Sequence, residues 1–163
     1  MQILVVSDTH GKGARLAALV EQNCNAECVV HLGDSQWTEE TLAAHLSPLP
    51  LVAVGGNCDG GGYPQMRILA LGEHRILLTH GHRHGVRFGD LQGLVSLAKE
   101  NNADIVLYGH THVAAERWEQ IPGEDRMVYL CNPGSLSEPR DGAPSFGILT
   151  LQGKQALFSV GRL

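Results

Sequence analysis

Short apolar runs that stop abruptly at polar tips recur along this chain. Ile3-Leu4-Val5-Val6 runs into Ser7-Asp8-Thr9-His10-Gly11, and Cys28-Val29-Val30-His31-Leu32 runs into Gly33-Asp34. Leu51-Val52-Ala53-Val54 ends in Gly55-Gly56-Asn57-Cys58-Asp59, residues 75–79 end in His80-Gly81-His82, and Ile105-Val106-Leu107-Tyr108 ends in Gly109-His110-Thr111-His112. Runs this short and this rich in β-branched residues predict buried strands. Between them, residues 12–23 place Ala14, Leu16, Ala17, Leu19 and Val20 close to a helical stripe, and Thr38 to Leu46 predicts a second helix with Glu39 and Glu40 in its first turn. Strand, polar tip, helix, strand is the grammar of a parallel sheet with helices on its faces.

After Gly60-Gly61-Gly62 the rhythm changes. Met66–Leu71 and Arg75–Thr79 flank a Gly72-Glu73 turn and predict a hairpin. Asp90 is a candidate N-cap for a helix through Leu91, Leu94, Val95, Leu97 and Ala98 that stops near Asn101-Asn102. The last third reads as mostly β: residues 114–121, a Pro122–Asp125 turn, 126–131, then 145–151 and 155–160. Asn132-Pro133-Gly134-Ser135 reads as a loop whose N–H groups could face an anion. No linker, repeat or low-complexity stretch divides the chain, so residues 1–163 are expected to form a single domain.

Composition narrows the function classes. A charged fraction of 18% and an apolar fraction of 43% are ordinary for a globular protein, and a net charge of -5 argues against long nucleic acids and anionic membranes as partners. No apolar run approaches membrane-spanning length, and four cysteines without zinc-site spacing read as free thiols in a reducing compartment. A cytoplasmic location is the resulting expectation. Nine histidines are many, and six of them lie in the runs at His80–His84, His110–His112 and beside Asp8.

Five strands that each end in a metal-competent side chain point to one shared site at the strand ends, where open α/β sheets bind ligands. The candidates are Asp8, His10, Asp34, Asn57, His80, His110 and His112. They exceed what one tetrahedral zinc needs, and their mixed carboxylate, imidazole and amide chemistry suits two divalent ions such as manganese, iron, zinc or nickel. One carboxylate would then bridge the pair. Asp34 is the natural candidate, having no partner ligand two residues on.

Asp8-Thr9-His10, Gly33-Asp34, Gly56-Asn57, His80-Gly81 and Gly109-His110-Thr111-His112, in this order, resemble the five signature blocks of the calcineurin-like metallophosphoesterase superfamily. The small size, Asn57-Cys58-Asp59 and Asn132–Ser135 are similar to its compact bacterial and archaeal phosphodiesterases. The resemblance implies a four-layer αββα sandwich: two packed mixed β-sheets flanked by helices, with the metals at one edge. It implies Asp8, His10, Asp34 and His112 around one metal and Asp34, Asn57, His80 and His110 around the other. The implied reaction is in-line attack on a small phosphodiester by a hydroxide held between two metals roughly 3.5–4 Å apart. Asn57 would also touch a phosphate oxygen.

Many superfamily members carry a histidine after the Asn, implicated as general acid; this chain has Cys58, a poorer match for protonating an alkoxide. Good leaving groups would then be favoured, or His82 would serve at the substrate. His31 reads as supporting rather than ligating, and His82 and His84 as cleft or solvated residues alike. Arg83, Arg87 and Arg140 could pair with phosphate but read first as solvent-facing, His45 and His74 read as surface residues, and Trp37 and Trp118 as partly buried packing residues. Substrate identity is expected in the loops at 59–66, 82–90 and 132–144. The competing functions are a non-catalytic protein-binding scaffold, the role of a retromer subunit with this fold, and a phosphomonoesterase or nucleotidase. The β-rich final third leaves a homo-oligomer open.

Overall fold

Alternation along strand β1 (Gln2–Val6) decides the layering. Ile3 and Val5 pack with Ile76, Leu78, Ile105 and Leu107 in a core of fourteen buried residues between two sheets. Leu4 and Val6 turn the other way and bury against Leu16, Leu19 and Val20 of helix α1 (Gly13–Gln22) and Leu42 and Leu46 of α2 (Glu39–Leu46). On the far side, Leu77, Val106 and Tyr108 meet Leu94, Val95 and Ala98 of α3 (Gln92–Glu100). The computed structural model, which describes residues 1–163, is therefore the expected αββα sandwich.

The remaining strands are β2 (Cys28–His31), β3 (Leu51–Ala53), β4 (Met66–Leu71), β5 (His74–Thr79), β6 (Ile105–Tyr108), β7 (Ala114–Gln120), β8 (Met127–Pro133), β9 (Ser145–Gln152) and β10 (Gln155–Arg162). They form two five-stranded mixed sheets, ordered β10-β9-β1-β2-β3 and β4-β5-β6-β8-β7. In the first, β1, β2 and β3 run parallel, with Val6 opposite His31 and His31 opposite Ala53. In the second, β5, β6 and β8 run parallel, with Thr79 opposite Tyr108 and Leu107 opposite Cys131. Parallel neighbours end at the same edge, so this register carries every predicted polar tip to one rim of the sandwich.

Several local expectations shift. The α3 cap lies at Leu91, one residue after Asp90, whose Oδ1 still accepts the Gln92 N–H at 2.9 Å. His74 is buried, against the surface expectation, because the parallel pairing of β5 with β6 sets its Nδ1 2.6 Å from Asp104 Oδ2. His45 is half-buried and stacks on Trp37 at 4.5 Å. Trp118, expected to pack, is 55% exposed on the edge strand β7, with one face on Tyr129 at 4.4 Å. The expected anion-facing loop at 132–135 is a brace instead. Asn132 and Pro133 finish β8, the Gly134 N–H donates to Asn132 Oδ1 at 2.9 Å, and the Leu136 N–H donates to the Ser7 carbonyl at 3.2 Å.

Candidate metal centre

The loop after β1 enters the rim in strained backbone. Asp8, His10, Asp34, His110 and His112 are five of the seven non-glycine residues with positive φ, between 40° and 69°. Left-handed backbone costs non-glycine residues of order 1–3 kcal/mol each and persists only where surrounding structure imposes it. Here hydrogen bonds across the two sheets impose it. The His110 N–H donates to Asp8 Oδ2 at 3.1 Å, and the Ser135 and Ser137 hydroxyls each donate to the Asp8 carbonyl at 2.9 Å. Two glycines let the tips close up: a Cβ on Gly56 would sit 2.1 Å from Asp34 Oδ1, and one on Gly109 2.0 Å from Ser7 Oγ.

The donor atoms fall into two overlapping clusters. Asp8, His10 and His112 offer ligand atoms that all lie within 4.8 Å of one another, and so do Asp34, His80 and His110. Asp34 also groups with His10 and Cys58 by the same measure, so it is the carboxylate that reaches both sides. Asn57 Oδ1 lies 3.2 Å from His80 Nε2.

Tautomers explain why these atoms want a cation. His80 Nδ1 is 2.7 Å from the Leu32 carbonyl and His112 Nδ1 is 2.7 Å from the Glu138 carbonyl. A carbonyl only accepts, so each Nδ1 carries a proton and each ring, when neutral, turns an Nε2 lone pair into the site. His112 Nε2 then faces Asp8 Oδ1 at 3.1 Å, and His80 Nε2 faces Asp34 Oδ2 at 3.4 Å. Facing acceptors repel unless positive charge lies between them, as a proton or a metal ion. Asp8 Oδ1 and His10 Nε2 are also buried without any hydrogen-bond partner. Divalent metal held in these clusters would satisfy all these atoms, so the residues fit the metal they were expected to hold.

Without a metal, a proton takes the place of that positive charge. Burial works against ionising Asp8 and Asp34, yet His112 beside the first and His80 beside the second hold both carboxyls below the usual range, and the carboxylates in turn raise both imidazoles above theirs. His31 lies fully buried behind them and is pushed down to about 4 by desolvation. Its Nδ1 accepts the Gly33 N–H at 3.2 Å, so its Nε2–H points at Thr9 Oγ1, 3.0 Å away. It is a neutral brace, as the supporting reading of it holds.

A cavity of about 210 Å³ opens over the clusters, lined by His10, Asp34, Asn57, Cys58, His110 and His112 together with Arg87, Glu138 and Arg140. The two arginines are exposed, as the solvent-facing reading has it, and the turn at Val86–Phe88 and the chain after β8 set them at the cavity, as the phosphate-pairing alternative needs. Cys58 sits at the mouth, its thiol pushed up to about 11 by desolvation and then by Asp34, and it is the Cys58 N–H that donates to Asp34 Oδ1, at 2.7 Å. His82 does not line this cavity. It is half-buried behind the rings of His80 and His110, at centroid distances of 5.3 and 6.1 Å. His84 lies away from it too, packed at Gly93 on α3, and Arg83 stays exposed.

Sequence reasoning left Asp59 without a role. Its Oδ2 accepts the N–H groups of Asp34 and Gly56, both at 2.8 Å, and its Oδ1 accepts the Gln36 N–H at 2.8 Å and the Ser35 hydroxyl at 3.2 Å. One carboxylate thus ties the loop after β2 to the loop after β3. The signal was an acidic residue inside a glycine-rich loop, a position where Asp commonly binds nearby backbone N–H groups.

A two-sheet sandwich with carboxylate and imidazole lone pairs gathered at its strand ends is the architecture of a metallohydrolase. Residues 1–154 match the model of the calcineurin-like phosphoesterase superfamily domain, and the chain belongs to that superfamily as a phosphoesterase of its compact type. It is 33% identical over 159 residues to the probable metallophosphoesterase YsnB of Bacillus subtilis, covering 96% of this chain and 88% of that one. It is 31% identical over 178 residues to the phosphodiesterase YfcE of Escherichia coli, covering 91% and 87%. A predicted phosphoesterase of Streptococcus pneumoniae superposes with a TM-score of 0.82 at 29% identity, over 99% of this chain and 88% of that one. Vps29 of Cryptosporidium parvum shares the fold, with a TM-score of 0.76 at 23% identity and coverage of 99% and 91%.

Proposed function

We propose that this single-domain chain is a metal-dependent phosphodiesterase acting on small phosphodiesters. The carrying observation is the set of opposed lone pairs, His112 Nε2 against Asp8 Oδ1 and His80 Nε2 against Asp34 Oδ2, within reach of one cavity. Asp8, His10, Asp34 and His112 would hold one divalent cation, and Asp34, Asn57, His80 and His110 a second. Manganese is the first candidate for these mixed oxygen and nitrogen donors, with iron, zinc and nickel behind it. Bound there, two such ions supply Lewis-acid activation of water and charge neutralisation at phosphorus.

The chain's own residues do the rest. Asp34 ties the two clusters together, and the Leu32 and Glu138 carbonyls keep the His80 and His112 lone pairs aimed inward. Asn57, exposed at the cavity, offers its amide to a phosphate oxygen. Arg87 and Arg140 stand where guanidinium groups pair with phosphate oxygens. Cys58, with its thiol at about 11, remains protonated at neutral pH and is no nucleophile. Four unbonded cysteines accord with a reducing, cytoplasmic setting.

The Vps29 likeness supports a second reading, a protein-binding scaffold. One experiment separates it, together with the monoesterase alternative. Metal-stripped protein is given manganese, nickel, zinc or magnesium, and hydrolysis of bis(p-nitrophenyl) phosphate is compared with that of p-nitrophenyl phosphate. Diester cleavage that follows metal loading, and falls about a thousandfold in Asp34→Asn, is expected. Preference for the monoester would reassign the reaction, and metal binding without turnover would favour the scaffold.

A further inference from the structure

Beside the metal-site cavity lies a second one of about 310 Å³, and Arg87 and Arg140 line both. Its floor is apolar: Val86 and Tyr108 are buried there and Val113 is partly exposed. Arg117, on edge strand β7, completes its wall and belongs to this cavity alone. Three guanidinium groups thus surround a pocket with no carboxylate among its lining residues.

These arginines differ from most others in the chain. Arg67, Arg126 and Arg162 pair with Glu39, Glu124 and Asp141, and Arg15 and Arg75 donate to backbone carbonyls. Arg87, Arg117 and Arg140, all exposed, have no carboxylate within ion-pair range and donate no side-chain hydrogen bond, as is also true of Arg83, which lines neither cavity. In a chain of net charge -5, three unpaired cations over an apolar floor form a local exception. Guanidinium forks match phosphate oxygens, and an apolar floor suits the organic part of a ligand.

We propose that the second cavity is a recognition subsite for a further phosphate. The preferred substrate is then a phosphodiester whose apolar or aromatic core carries a second phosphate group. This rests on the phosphodiesterase reading. With the reactive phosphate at the metal cluster, Arg87 and Arg140 lie between the two anions, and Arg117 meets only the distal one.

The test compares thymidylyl-thymidine with the same dinucleotide bearing a 5′-terminal phosphate, using full-length, metal-loaded protein. The phosphorylated form is expected to show a KM about tenfold lower. Arg117→Gln removes that difference, Arg117→Lys restores part of it, and kcat and KM for bis(p-nitrophenyl) phosphate stay unchanged. Equal KM values in the wild type, or a preference that survives Arg117→Gln, would overturn the proposal. If no diester is turned over, the phosphodiesterase reading fails separately. Calorimetric binding of both dinucleotides to Asp34→Asn protein, with and without Arg117→Gln, then decides the subsite: a preference lost with Arg117 supports it, and equal binding refutes it.

Discussion

The space between the sheets and the rim where their strands end are built on opposite principles. Between the sheets, Ile3, Val5, Leu78, Ile105 and Leu107 are wholly or almost wholly buried, with apolar neighbours on all sides. At the rim, six non-glycine residues hold left-handed backbone, four buried polar atoms lack partners, and like-natured lone pairs face each other. The interior supplies stability, and the rim consumes some of it to preorganise a site. The difference teaches that the strain is localised: it begins within two residues of the last paired position in β1, where Val6 still matches His31.

Four changes would break or sharpen that contrast. The largest effect belongs to the interior. Leu78→Ala should cost about 3 kcal/mol in chemical denaturation, through lost burial and a cavity, while kcat at saturating metal stays near wild type. A kcat that fell along with stability would mean the rim is not mechanically separate from the core.

Next is the buried brace His31. Its folded value of about 4 lies below the 6.5 of an unfolded histidine, so between those pH values the unfolded chain binds a proton that the native one refuses. Its contribution is therefore fully present above pH 6.5 and is lost as pH falls towards 4, by roughly 3 kcal/mol in total. His31→Gln should flatten the acid limb of stability against pH. An unchanged slope would show that some other group sets it.

Asp59→Asn should weaken metal affinity about ten- to a hundredfold, because it loosens the tie between the Asp34 and Asn57 loops without touching a donor atom. Isothermal titration with manganese reads this directly; unaltered affinity would reduce Asp59 to a loop-stability residue. Smallest is Cys58→Ala. The Asp34 carboxylate keeps the Cys58 N–H at 2.7 Å when the thiol is removed, so rates on activated diesters should stay within about threefold. A loss confined to poor leaving groups would instead make the thiol the general acid.

Much of this was legible along the chain. The strand runs, the hairpin at 66–79 and the helix at 38–46 follow from local patterns, and Thr38 caps that helix by accepting the Thr41 N–H at 3.2 Å. The donor blocks stood out because each apolar run ended in one. Less visible were the residues whose work depends on distant partners. His74 read as a surface residue until Asp104 met it across thirty positions, and Asn132–Ser135 read as an open loop although Ser135 reaches back to Asp8. Arg87 and Arg140, separated by more than fifty residues, share a cavity that no local pattern announces.

The sequence by itself determined which segments become strands, which chemistry each strand end carries, and the superfamily to which the chain belongs. Those properties are local: a period of two, a capping hydroxyl, a carboxylate or imidazole where an apolar run stops. Only the tertiary structure decided the pairing of Asp8 with His112, the lone-pair orientation of His80, the knot at Asp59 and the arginine-lined second cavity. Each depends on the register of parallel strands and the stacking of two sheets. Such contacts between loops join residues 23 to more than 100 positions apart, and their geometry exists only once the intervening chain has closed around the core.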